Sequence, residues 1–310
     1  VTKWVVPFIF GYFESSKVDG LGDDLEFAVL SRRSRYNPGV RFLARGADLD
    51  GRAANFTETE QILINKQDSS HRILYHTQLK GSVPVKWTQF PDFSLNPRMI
   101  ISNILEENSD ISRRHFDRIK ATYPEIFIVN LTNRKGSQEK LGNEYKRSVE
   151  EMKDPNIKFF WFDLNNDYKE LKHENISKLL DQVGPFLKEN SYTDLLVSEG
   201  ESVQVLSRQM LVIRTNCVDS IDRTNYAQSV FARTILKFQL AALKLDKLPE
   251  QLTLNIPLHP SLEELFRKYW VTNGDLLAKM YTGTLSLRSE IIAKGKRTKE
   301  GAKEDMRNEL

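Results

Sequence analysis

Cys217 is the single cysteine of this 310-residue chain, and an arginine, Arg223, follows it after five intervening positions. The segment reads Arg214-Thr215-Asn216-Cys217-Val218-Asp219-Ser220-Ile221-Asp222-Arg223-Thr224-Asn225. A lone thiol at that distance from an arginine is the arrangement that cysteine-dependent phosphatases use on phosphate monoesters. The thiolate attacks phosphorus in line, loop N–H groups ring the phosphoryl oxygens, and the guanidinium forks two hydrogen bonds onto them. The bland alternative is a buried core thiol, since free cysteine packs as a small hydrophobe. A polar loop with a correctly spaced arginine argues against it.

The loop holds two aspartates and no glycine. Asp219 and Asp222 therefore have two open assignments. Either they turn away and bond backbone N–H groups to shape the loop, or one is the general acid that protonates the leaving oxygen. The acid must carry a proton, which the charge of a bound phosphate would favour. Asp222 adjoins Arg223 at the expected start of a helix, which alone favours its ionised form, but the charge of a bound phosphate reverses that balance. Asp222 is the preferred acid and Asp219 the residue that shapes the loop. Asn216, Val218, Ser220, Ile221 and Thr224 are the loop's substrate-binding candidates.

The flanking sequence supplies the elements that must position these groups. Gln209–Thr215 is apolar and β-branched and predicts a strand. Ala227, Val230, Phe231, Ile235, Phe238, Ala241, Ala242 and Leu245 recur at three- and four-residue spacing, one apolar face of a helix. Strand, tight loop and helix N-terminus make an anion site, because unpaired N–H groups and the positive dipole end converge there. The same field favours a thiolate near neutral pH.

These residues resemble the signature of the Sac (suppressor-of-actin) family of phosphoinositide phosphatases, usually R-x-N-C-x-D-C-L-D-R-T-N. The likeness extends upstream to Ser31–Tyr36, Gly39-Val40-Arg41-Phe42, Arg45-Gly46, Asn55–Gln61 and Gly81–Trp87. Downstream it includes Asn273-Gly274-Asp275, Tyr281-x-Gly283-Thr284 and Gly295-Lys296-Arg297-Thr298, all in order from about residue 10 to 302. The resemblance implies metal-free removal of a phosphate from the inositol ring of a membrane lipid, most often phosphatidylinositol 4-phosphate. The 3-phosphate and 3,5-bisphosphate are the alternative substrates. The nucleophile carries over to Cys217 and the phosphate-binding arginine to Arg223. It also implies an upstream non-catalytic segment, expected to be absent here. The pattern breaks at Ser220, where most members have a second cysteine, and at Ile221, where they have leucine. Losing that thiol removes any vicinal disulfide that could protect Cys217 from over-oxidation.

Rival readings are a myotubularin-like 3-phosphatase, a protein-tyrosine phosphatase and a silent phosphoinositide-binding scaffold. The first has histidine before the cysteine and glycine in the loop, where this chain has Asn216 and Ser220. The second lacks both acids. The third would have lost Cys217 or Arg223.

A composition 40% hydrophobic and 28% charged suits a large core without any run long enough for a membrane span. One cysteine excludes a disulfide framework and agrees with a reducing compartment. The net charge of +3 gives no expectation of nucleic acid. Arg32, Arg33, Arg35, Arg41 and Arg45 cluster, as do Lys294, Lys296, Arg297 and Lys299, and such clusters suit an anionic lipid surface. Arg41 and Arg45 are added to the substrate-binding candidates. The expected partners are membrane phosphoinositides, with protein partners through flanking regions left open, and the expected location is the cytosolic face of endomembranes. Five scattered histidines and the lack of a carboxylate cluster give no metal site, and no cofactor is expected.

A single domain is expected over 1–310, β-rich to about 95 and α/β beyond it: a mixed sheet flanked by helices, with the loop between a strand and a helix. Strands are predicted over Leu25–Ser34, Arg41–Arg45, Arg72–Lys80, Val83–Gln89, Ile126–Leu131 and Ile157–Asp163. Helices are predicted over Ser112–Thr122, Asn143–Met152 and Glu174–Leu187, with a hairpin before the loop's strand. Ser261-Leu262-Glu263-Glu264 reads as a capping box opening a helix. Asp163 is read as a catalytic residue or a structural cap, and Glu58 and Glu60 as groups that orient arginines.

Overall fold

The computed structural model describes residues 8–22, 24–67, 70–91, 97–164, 173–187, 191–198, 203–248, 252, 256–287 and 289–294. Four long strands open the chain: β1 (Phe8–Lys17), β2 (Leu25–Ser34), β3 (Thr57–Gln67) and β4 (Ser70–Lys80). They pair antiparallel in chain order. Of these, β2 and β4 follow the expected strands, whereas β1 and β3 were not anticipated. The polar alternation Thr57-Glu58-Thr59-Glu60-Gln61 hides a strand whose Thr57, Thr59 and Gln61 are buried.

Beyond β4 the sheet forks. The first half of β4 pairs antiparallel with β9 (Thr193–Ser198), which carries β10 (Gln204–Ser207) as the expected hairpin. The last residues of β4 pair parallel with β11 (Leu211–Asn216). Parallel strands β7 (Glu125–Asn130) and β8 (Ile157–Trp161) continue from β11. The result is a nine-stranded mixed sheet in which β4, β11, β7 and β8 end on the same side. A two-stranded piece, β5 (Trp87–Gln89) with β6 (Met99–Ile101), stands apart.

Helices cover both faces, as a mixed α/β fold requires. Alternation along β7 assigns the two cores, because successive strand side chains point to opposite faces. Phe127 and Val129 pack with α3 (His173–Leu187) and α4 (Asp222–Ala242). Ile126 and Ile128 pack with α1 (Leu105–Lys120) and α2 (Gly136–Met152). The antiparallel part is covered by the rest of α4 and by α5 (Pro260–Thr282), whose Phe266, Tyr269 and Trp270 lie on Phe27, Val29, Leu63 and Leu74. A short α6 (Ser289–Lys294) follows. Among the described residues no helix is long and apolar enough to cross a membrane.

Three local expectations are corrected. Residues 41–45 form a turn, with the N–H groups of Leu43 and Ala44 both donating to Val40 O, so no strand forms there. Residues 83–86 bend before β5, and Val85 N–H reaches only to Val83 O. The capping box is not made: Pro260 starts α5 after His259, which makes no side-chain cap, and Ser261 lies inside the helix. Glu263 instead pairs with Arg233 and Arg267.

Candidate active site

Cys217 follows the last residue of β11, and α4 begins five residues later at Asp222. The sulfur sits at the carboxyl edge shared by β4, β11 and β7, beside a helix N-terminus. Cys217 is only 3% exposed and touches the core beneath α4. Its Sγ accepts the N–H of Ser220 at 3.1 Å, so the loop folds back over its own thiol. Ser220 does this with φ of +54°, the left-handed region that few non-glycine residues occupy. Its hydroxyl donates to Gly81 O at 2.7 Å, tying the loop to the end of β4.

Asp219 is the loop's anchor. Arg45 Nη1 donates to Asp219 Oδ1 at 2.6 Å, and Arg41 reaches both oxygens, Nε to Oδ1 at 3.2 Å and Nη2 to Oδ2 at 3.1 Å. Arg45 also holds Val218 O and Gln89 Oε1, and Asn55 Nδ2 donates to Asp219 O at 3.0 Å. Burial pushes the Asp219 carboxyl up, but Arg45 and Arg41 outweigh it and hold it below the usual carboxylate range. The turn that carries both arginines is fixed to α5: Arg41 N–H donates to Tyr281 O, and Tyr281 OH donates to Ala44 O.

Asp222 has different partners. Its Oδ1 accepts Ser286 Oγ at 2.8 Å and Leu287 N–H at 2.7 Å, from the segment after α5. Arg223 turns toward the end of β7. Its Nη1 donates to Leu131 O and Asn133 Oδ1, each at 2.8 Å, and both Nη atoms reach Gln138 Oε1 at 3.2 and 3.3 Å.

Of the other loop candidates, four turn their side chains into the protein. Asn216 Nδ2 donates to Asn130 Oδ1, Val218 packs with β7 and α1, Ile221 packs with Ala278 and Tyr281, and Thr224 Oγ1 donates to Ile221 O. Arg32 pairs with Glu60 and Glu58, the orienting part expected of those glutamates. Asp163 accepts Arg134 N–H at 2.7 Å, a cap on the loop that holds Asn133. Lys294 ends α6, and Lys296, Arg297, Lys299 and the Gly295–Thr298 motif lie outside the described residues.

Several groups at the site were not anticipated. Lys80, the last residue of β4, is fully buried beside the loop, and burial lowers its ammonium to about 8 although the nearby Cys217 and Asp222 charges oppose this. Its signal was present as a lysine ending an apolar strand just before Gly81-Ser82-Val83-Pro84. Asn55 opens the matched segment Asn55–Gln61, whereas Gln89, Asn133, Gln138 and Ser286 carry no pattern that would have singled out their roles. Asn225, within the signature, links α4 to α5 through Trp270 O and Asn273, and Asn273 in turn receives Ser31 Oγ. The matched segments around residues 31, 45, 55, 81 and 273 therefore converge on one structure, the frame around Cys217.

The SacI homology domain model matches residues 1–169. The phosphatidylinositol-3-phosphatase SAC1 of Saccharomyces cerevisiae is 30% identical over 312 residues, covering 99% of this chain and 49% of that protein. The phosphoinositide phosphatase SAC6 of Arabidopsis thaliana is 31% identical, covering 99% and 50%. The phosphatidylinositol-3-phosphatase SAC1-A of Danio rerio is 33% identical, covering 96% and 49%. The chain thus spans about half the length of these curated relatives. With the family's matched segments assembled around one cysteine, the chain belongs to the SacI homology family.

Proposed function

We propose that this protein hydrolyses a phosphate monoester on the inositol ring of a phosphoinositide, through a cysteinyl-phosphate intermediate. The observation that carries the reading is Cys217 at the carboxyl end of a central strand, on the loop leading into α4, in a chain whose relatives are named phosphoinositide phosphatases. The Cys217 thiolate attacks phosphorus, and the bond from phosphorus to the inositol oxygen breaks. Asp222 gives that oxygen its proton, because an inositol alkoxide is a poor leaving group. Water then attacks the phosphocysteine, returns a proton to Asp222 and releases phosphate and the thiolate.

Asp219 stays ionised between Arg41 and Arg45 and acts through loop shape. Since the side chains of Asn216, Val218, Ile221 and Thr224 face inward, these residues contribute backbone groups to the phosphate. Arg223 serves the phosphoryl oxygens only after leaving Leu131, Asn133 and Gln138, so turnover includes an opening of the loop over the covered sulfur.

The 4-phosphate is the substrate expected from the family resemblance. The 3-phosphate is the second reading, favoured by the names of the yeast and zebrafish relatives. Protein partners, a peripheral position on the cytosolic face of endomembranes and a one-domain organisation complete the proposal. Phosphate release over a panel of all phosphoinositides tests it. Release from a 4-phosphate lipid above all others supports the first reading, and preference for the 3-phosphate supports the second. Binding without release from any lipid would leave only a scaffold.

A further inference from the structure

The strand beside the loop's own strand ends in a cation without a local partner. Lys80 is 1% exposed, and its Nζ has no hydrogen-bond partner among the described residues. Its register partner on β11 is Thr215, two residues before Cys217. The next carbonyl, Gly81 O, receives the Ser220 hydroxyl from the loop. Lys80 is thus fixed to the nucleophile's strand on one side and to the loop itself on the other.

A buried ammonium needs either hydrogen-bond acceptors or an opposite charge nearby. The charges acting on Lys80 are the Cys217 sulfur and the Asp222 carboxylate, which favour its proton, and Arg33, which opposes it. Arg33 lies in the same row, since Arg33, Thr57, Lys80 and Thr215 are successive register partners across β2, β3, β4 and β11. The other loop charges are occupied: Asp219 by Arg41 and Arg45, and Arg223 by Leu131, Asn133 and Gln138. The charges that favour the Lys80 proton are thus the Cys217 sulfur and the Asp222 carboxylate, which is itself held by Ser286 Oγ and Leu287 N–H.

We propose that Lys80 is the counter-cation of the Cys217 thiolate, a positioning residue that holds the sulfur deprotonated beneath the loop. It rests on the reading of Cys217 as the nucleophile. Because burial brings Lys80 to about 8, it is mostly cationic at neutral pH and loses its proton, and this role, as pH rises past that value. A lysine kept only for packing would have no effect on the sulfur.

The test is the rate of Cys217 alkylation by iodoacetamide against pH. The chain has one cysteine, so the signal has a single source. Lys80→Met keeps the chain length and removes the charge, while Lys80→Arg keeps the charge. At pH 6.5 alkylation of Lys80→Met should be about tenfold slower than wild type, with its profile displaced by about one pH unit upward. Lys80→Arg should stay near wild type, and all three should converge at high pH. Superimposable wild-type and Lys80→Met profiles would overturn the proposal, as would a lowered thermal midpoint with an unmoved profile. The wild-type profile alone is a second check, independent of how the variants fold: half-maximal alkylation at the free-thiol value of about 8.5 also overturns it. Alkylation needs no turnover. A Lys80-dependent profile in a protein that releases phosphate from no lipid would therefore sink the phosphatase reading while leaving the role of Lys80 intact.

Discussion

The backbone N–H of Ser220 points at the sulfur of Cys217 from 3.1 Å, and Ser220 adopts φ of +54° to place it there. That conformation costs about 1 kcal/mol for a residue with a Cβ, and the Ser220 hydroxyl bond to Gly81 O offsets it by fastening the loop to β4. A charge-bearing acceptor takes such an N–H more strongly than a neutral one. The loop thus directs a backbone donor at its own sulfur in the resting fold.

Cys217→Ser should keep the loop and lose the chemistry. A serine oxygen can accept the same N–H, but it is hardly ionised at neutral pH, so the nucleophile disappears while the cradle remains. Lipid phosphate release should fall to background with vesicle binding retained. Turnover close to wild type would rule out the covalent route.

Arg223→Lys should be nearly as damaging as Arg223→Ala. The guanidinium spans Leu131 O, Asn133 Oδ1 and Gln138 Oε1 at once, and a lysine offers a point charge without the planar fork. Recovery of most activity by lysine would show that charge alone suffices.

The two loop aspartates should separate on leaving-group chemistry. Asp219→Asn takes the opposite charge from Arg45, whose side chain is 1% exposed and keeps only the neutral acceptors Val218 O and Gln89 Oε1, and should cost about 3 kcal/mol of stability. It should impair lipid and aryl phosphate turnover alike. Asp222→Asn should impair the lipid far more, because an aryl phosphate leaves without a proton. Equal losses for Asp222→Asn on both substrates would remove it as the acid.

Gly274→Ala should loosen the frame from a distance. A methyl at Gly274 would collide with the side-chain amide of Asn225, which joins α4 to Trp270 O. Overpacking of this kind costs about 1–3 kcal/mol, read as a lower thermal midpoint. An unchanged midpoint would mean that the two helices separate freely there.

Acid should unfold the protein through two histidines. Burial lowers His76 to about 4 and His115 to about 3, with Arg214 adding to the effect on His115. Both are neutral in the fold and protonate in the unfolded chain near 6.5, so the unfolded state binds more protons below that pH. Their contribution is complete above 6.5 and is lost as pH falls toward 4, at up to about 1.4 kcal/mol per pH unit for each. His115→Gln keeps a donor for Gly51 O and should remove about half of that slope in urea titrations. A slope unchanged by the substitution would discount His115.

The sequence alone singled out the candidate centre and most elements of the α/β part. Cys217, Arg223 and the two aspartates are fixed by spacing within twelve residues. The strand before them and the helix after them follow from local periodicity. Strands β2, β4, β7, β8 and the helix His173–Leu187 lie within a few residues of where apolar patterning put them, whereas α1 and α2 each begin seven residues before their predicted starts, at Leu105 and Gly136. Polar strands defeated that method: β3 buries Thr57, Thr59 and Gln61 because cross-strand and helix partners satisfy them, as with Gln61 Nε2 on Ala232 O. Only the tertiary structure assigned the charges. Arg41 and Arg45 lie 178 and 174 positions from Asp219 and are brought onto it by α5 and the turn it holds, a pairing that spacing along the chain does not reveal. Lys80 is 137 positions before Cys217, and no local signal could tell that its strand would pair with β11, opposite Thr215, and bury its ammonium there. Spacing along a chain sets which groups share a loop, whereas the partner of a charge depends on which strands are neighbours and how far water is excluded.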